Sequence, residues 1–141
     1  MEDLKQVYKE LLNIECDILE RGRRKEYEDL VDDFTKREMV REGIHIEKAL
    51  ELEIQYSIRF IDYALSQFER LIHSHAANND LLENICRESI TLFFSKSLQR
   101  MIAITMNVRS PVKEEYMIEP LEKVKSEAFR KLEIIKAKKE E

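Results

Sequence analysis

Glycine and proline are nearly missing from this chain, with 2 of each among 141 residues. Tight turns, hairpins and abrupt ends of elements draw on these two residues. Their scarcity leaves room for long helices and little for a β-rich fold. It also removes most phosphate-cradling loops and nucleophile elbows, which need glycine. Cysteine is equally sparse. Cys16 and Cys86 stand alone in apolar-periodic stretches, a pattern that suggests neither a disulfide framework nor a metal site. A reduced, cytoplasmic setting is the simplest expectation. No apolar run approaches the roughly 20 residues that cross a bilayer. The opening Met1-Glu2-Asp3-Leu4-Lys5 is acidic and has no apolar h-region, so no signal peptide is expected.

What the chain does contain is charge and apolar periodicity. Charged residues make up 38% and apolar residues 43%, enough for a real core in one domain. The 24 basic and 29 acidic residues leave a net charge of -5, with the signs interleaved. That pattern argues against a dedicated duplex-binding protein, whose affinity needs concentrated Lys and Arg. A weak local contact to nucleic acid stays open, and no membrane association is expected.

The periodicity predicts an all-α fold of about five helices in a bundle, with one long central helix. Residues 3–21 carry Leu4, Val7, Tyr8, Leu11, Leu12, Ile14, Ile18 and Leu19, and Gly22 is placed as a stop. A second, narrower helix carries Tyr27, Leu30, Val31 and Phe34 and ends near Gly43. The long helix covers about 45–75, with one stripe of Ile46, Ala49, Leu50, Ile54, Ile58, Ile61, Leu65, Phe68 and Ile72. A second face of it adds Leu52, Tyr56, Phe60 and Tyr63. Asn78-Asn79-Asp80 is the clearest turn signal. A helix over about 80–106 follows, then a linker with Ser110-Pro111, then a last helix that Pro120 interrupts or restarts. Residues 1–106 read as a helical domain. Residues 107–141 read as a linker and a helix docked either on the bundle or on a partner.

Four groups of residues invite a chemical reading. Arg70 and His75 have the Arg-x4-His spacing of one class of helical ribonuclease domains, where the Arg clamps phosphate and the His moves a proton. The plainer alternative is that helix C-termini favour basic residues. Here Leu71 stands where that motif usually carries a polar residue. Glu42-Gly43-Ile44-His45 matches Glu-x-x-His, but a di-iron bundle needs two such motifs and two more carboxylates, so neither metal nor cofactor is expected. Arg21, Arg23, Arg24 and Lys25 form a basic tetrad, either a solvated turn or a contact for phosphate or an acidic partner. Tyr56, Phe60, Tyr63, Phe93 and Phe94 lie at helical spacing and read as core or as a partner-binding surface. The third and fourth helices carry more apolar surface than thin neighbours easily cover, which predicts an interaction protein in a homo- or hetero-oligomer.

The order of elements resembles the helical domain of the GINS replication-factor family. Asp3-Leu4-Lys5-Gln6-Val7-Tyr8 resembles its opening helix, and Glu26-Tyr27-Glu28-Asp29-Leu30 its aromatic-acidic segment. Leu52-Glu53-Ile54-Gln55 resembles the start of its long helix. The basic-apolar end of that helix is matched by Phe68-Glu69-Arg70-Leu71-Ile72 or, in a second register, by Leu98-Gln99-Arg100-Met101-Ile102. Two features depart from the family: its run of several basic residues is reduced to Arg70 or Arg100, and little sequence remains for its small β-domain. The resemblance implies a non-catalytic DNA-replication scaffold. Such a subunit joins its homologues in a tetramer and bridges the MCM helicase ring to other replisome proteins.

Overall fold

The computed structural model describes residues 2–36, 43–74, 79–106 and 115–140. Four helices account for them: α1 (Glu2–Lys36), α2 (Gly43–Ser74), α3 (Asn79–Thr105) and α4 (Glu115–Glu140). Among the described residues there is no strand. Residue pairs across the interfaces set the directions. Tyr8 reaches Ala64 and Tyr27 reaches His45, so α1 and α2 are antiparallel. Phe60 meets Phe93 and Glu53 meets Arg100, so α2 and α3 are antiparallel. Glu83 meets Lys136 and Arg87 meets Phe129, so α3 and α4 are antiparallel. The result is an up-down-up-down bundle. α2 and α3 form its middle, α1 packs on both from one flank, and α4 packs on both from the other. No described part of α1 touches α4.

The expected stop at Gly22 is overturned, and with it the count of about five helices. α1 runs through Gly22 without a break. The glycine serves close packing instead. A Cβ at position 22 would sit 3.0 Å from the Tyr56 hydroxyl. The bare backbone lets that phenol cross α1 and donate to Glu26 Oε1 at 2.7 Å. A helical glycine costs about 1 kcal/mol relative to alanine, and the continuous core face of Leu12, Leu19, Arg23 and Phe34 outweighs it.

Pro120 neither interrupts nor opens the last helix, which begins at Glu115 and contains the proline at its sixth position. There Pro removes the one bond that the N–H of residue 120 would make to the carbonyl of Tyr116, and the helix continues past it. Gly43 opens α2, and Asn79-Asp80 open α3 close to where the turn signal placed it. Ser110-Pro111 lies outside the described residues.

The main core joins all four helices, around Tyr8, Leu12, Phe60, Phe68, Cys86, Ile90, Phe93 and Leu132. A smaller cluster of Ile46, Ala49, Met101 and Met117 closes one end of the bundle. The long helix α2 is apolar over more than half its circumference because it meets three neighbours. α4 docks on the bundle through Met117, Leu121, Ala128 and Leu132, all buried. No helix among the described residues is long and apolar enough to cross a membrane.

Candidate functional site

The five aromatics do not form a surface for a partner. Tyr56, Phe60, Phe93 and Phe94 are buried within the single chain, and Tyr63 is half-buried against the same core. Phe60 and Phe93 stack with centroids 4.6 Å apart and planes 7° from parallel. α1 and α4 therefore cover most of the apolar excess of α2 and α3, leaving Ile58, Leu81 and Leu92 exposed.

The basic tetrad is split by helical geometry. Position 23 falls on the same face as Leu19 and Tyr27, so Arg23 points inward, while Arg21, Arg24 and Lys25 are exposed. Arg23 donates through Nε and NH2 to both oxygens of Glu20, at 3.1 and 2.6 Å, and through NH1 to Glu53 at 3.4 Å. Arg100 grips Glu53 with two bonds, at 2.9 and 2.7 Å, and also bonds Ser97. Its other nitrogen lies 3.4 Å from Glu20. Glu53 is only 2% exposed. The network thus neutralises two guanidinium groups with two carboxylates at the junction of α1, α2 and α3. Arg23 hydrogen bonding holds the Glu20 carboxyl below its usual range, against the opposing effect of burial. With its guanidinium committed to Glu20 and Glu53, Arg23 is not available to an external phosphate.

A second ionic cluster ties α4 to α3. Glu83 accepts from Arg87 and Lys136, and Arg87 also pairs with Glu133. Burial pushes the Glu83 carboxyl up, but the bonds from Lys136 and Arg87 bring it below its usual range.

Arg70 is exposed near the end of α2, beside the buried Leu71, and His75 lies outside the described residues. His45 is buried, stacked on Phe34 at 5.6 Å, with Tyr27 Oη 3.2 Å from its Nε2. It is a core histidine at the head of α2, and Glu42 lies outside the described residues. Among the described residues no group of three His, Cys, Asp or Glu side chains is placed to hold a metal. Burial pushes the Cys86 thiol up to about 11, which leaves it a packing group rather than a nucleophile.

The feature that sequence reasoning missed is on the outside of α1. Tyr8, Leu12 and Leu19 turn inward, but Val7, Ile14 and Ile18 are 44%, 58% and 55% exposed. Leu11, half-buried, completes the row. The steps of four, three and four residues place all four on one face. Glu10 and Asp17, both exposed, flank the row, and Glu15 flanks its other side. One turn further the same face becomes basic, with Arg21 and Lys25. The signal was present in the sequence: α1 carries too many apolar residues for a single stripe, and they sort into two. No protein-family model, curated relative or solved structure matches the chain.

Proposed function

We propose that this chain is a non-catalytic helical assembly protein that engages a protein partner through the outer face of α1. The observation that carries this reading is the row Val7, Leu11, Ile14 and Ile18. Single exposed apolar residues are ordinary on a protein surface, whereas a contiguous row at helix-pairing spacing marks a contact site. The rest of the molecule favours the same class. The Glu20–Arg23–Glu53–Arg100 and Glu83–Arg87–Lys136 clusters close on themselves as ion pairs, and burial pushes up the thiol of Cys16, which lies beside Glu20 and Lys96. The resemblance to the GINS helical domain gives the reading its most specific form, a replication scaffold that joins homologous subunits and bridges the replicative helicase to other replisome proteins.

A photo-reactive amino acid placed at position 14 tests the reading in extracts of the source cells. A discrete cross-linked protein adduct is expected from position 14 and not from position 130 on the outer face of α4. Adding Ile18→Glu should abolish it. If position 14 yields no adduct, or the two positions give the same products, the proposal fails. Mass spectrometry of the adduct then decides the finer form, since a replisome component is required for a GINS-like role.

A further inference from the structure

Four side chains on the outside of α1 define a seam, and the charges beside it restrict what can lie there. Leu11 and Ile18 occupy one heptad position, and Val7 and Ile14 the other. The row rises over about 16 Å at 1.5 Å per residue. In paired helices the residues just before the first position and just after the second face each other across the seam. On α1 these are Glu10 and Asp17 on one flank, and the buried Tyr8 with the half-buried Glu15 on the other, so that Glu15 carries the charge of the second flank.

A second copy of the chain is a poor occupant in either direction. Antiparallel pairing in the register that matches all four apolar residues sets Glu10 against Asp17 of the other copy, twice. Parallel pairing sets Glu10 against Glu15, also twice. Like charges at these positions oppose association. An anionic lipid surface meets the same acidic flanks and is repelled by them.

We infer that the occupant is a short amphipathic helix of a different protein, with aliphatic residues at heptad spacing and Lys or Arg on both flanks. This rests on the assembly role proposed above and names the chemistry of its partner. Glu10, Asp17 and Glu15 pair with the basic flanks, and the aliphatic residues cover Val7, Leu11, Ile14 and Ile18. Beyond Ile18 the face turns basic at Arg21 and Lys25, so the partner's basic segment ends there or gives way to Asp and Glu. That boundary fixes the register of the docked helix.

The test uses the full chain and two stapled helical peptides of about 15 residues, long enough to pair and held helical because short helices are marginal alone. Both carry Leu and Ile at heptad positions. One has Lys on its flanks and the other Glu. Fluorescence anisotropy should show the Lys peptide binding at least about tenfold more tightly, a preference lost in high salt. The double variant Glu10→Lys with Asp17→Lys should reverse the preference. Ile14→Glu with Ile18→Glu should abolish binding of both peptides while the helical circular dichroism and melting point stay unchanged. Equal binding of the two peptides, a preference for the Glu peptide, or binding of neither overturns the inference. So does a concentration-dependent dimer of the chain that Ile14→Glu removes. In those cases a specific adduct from position 14 still leaves the assembly role standing, whereas its absence removes both.

Discussion

Glu53 carries the most concentrated electrostatic responsibility in the molecule. Its carboxylate is buried and is bonded by guanidinium groups from two other helices, Arg23 on α1 and Arg100 on α3. Removing one member of a buried ion network leaves the others desolvated without a partner, which costs about 3–5 kcal/mol. Glu53→Ala should therefore lower the unfolding free energy by about that amount. Glu53→Gln should fall between, since an amide keeps one acceptor for Arg100 but no charge. The paired comparison matters more than either value. Replacing Glu53, Arg23 and Arg100 together with apolar residues of similar volume should cost far less than Glu53→Ala, because the one charge left behind, Glu20, is partly exposed and still lies 3.7 Å from Arg24. Urea unfolding monitored by circular dichroism measures all three. A triple variant as damaged as Glu53→Ala would show that the network stabilises through its own attraction and not only by mutual compensation. Nothing in the sequence announced this network. Glu53 reads as one charge among many, and only the crossing of three helices brings residues 20, 23, 53 and 100 together.

At the scale of the element, α1 shows how a local rule yields to packing. Gly22 is absorbed into the helix because the Tyr56 phenol passes over it. Gly22→Leu forces a branched side chain into that contact and should cost about 1–3 kcal/mol by overpacking. In a Tyr56→Phe background the hydroxyl is gone, so Gly22→Ala should regain most of the alanine advantage, about 1 kcal/mol. In the parent background the same change gains less, because the new methyl displaces the phenol from Glu26. Thermal melts of the four combinations give the coupling between positions 22 and 56, and strict additivity would refute the close-packing role. The helical class and the positions of α2 and α3 were legible because both segments are long, α2 is strongly periodic, and the Asn78-Asn79-Asp80 signal marks where α3 begins. The continuity of α1 was not, since glycine as a stop and glycine as a crossing point look identical until the neighbouring helix is placed. The seam on α1 was half-legible: its residues were all in the apolar pattern, but Val7, Leu11, Ile14 and Ile18 were merged with the core-facing Tyr8, Leu12 and Leu19.

At the scale of the whole molecule, the bundle is layered so that α1 and α4 stabilise the same pair of helices without meeting. Leu12 on α1 and Leu132 on α4 are both fully enclosed, on opposite flanks of α2 and α3. Truncating either to alanine should cost about 2–5 kcal/mol, from lost burial and the cavity left behind. Because the two sites share no described contact, the double variant should lose the sum of the single losses within about 0.5 kcal/mol. The more decisive readout is spatial. If residues 115–140 belong to the same cooperative unit as α1, then Leu132→Ala lowers amide-exchange protection throughout α1 by the same free energy that it takes from the global unfolding. If α4 is an appendage on an independently stable three-helix core, the loss stays in α4 and the faces of α2 and α3 it covers, and protection in α1 is untouched. The buried row Met117, Leu121, Ala128 and Leu132, together with the Glu83–Lys136 tie, favours the cooperative outcome. That outcome also bears on the proposed docking face. An α1 held by the whole bundle presents Val7, Leu11, Ile14 and Ile18 as a rigid ridge, so a partner helix can dock without first paying to order the surface it binds.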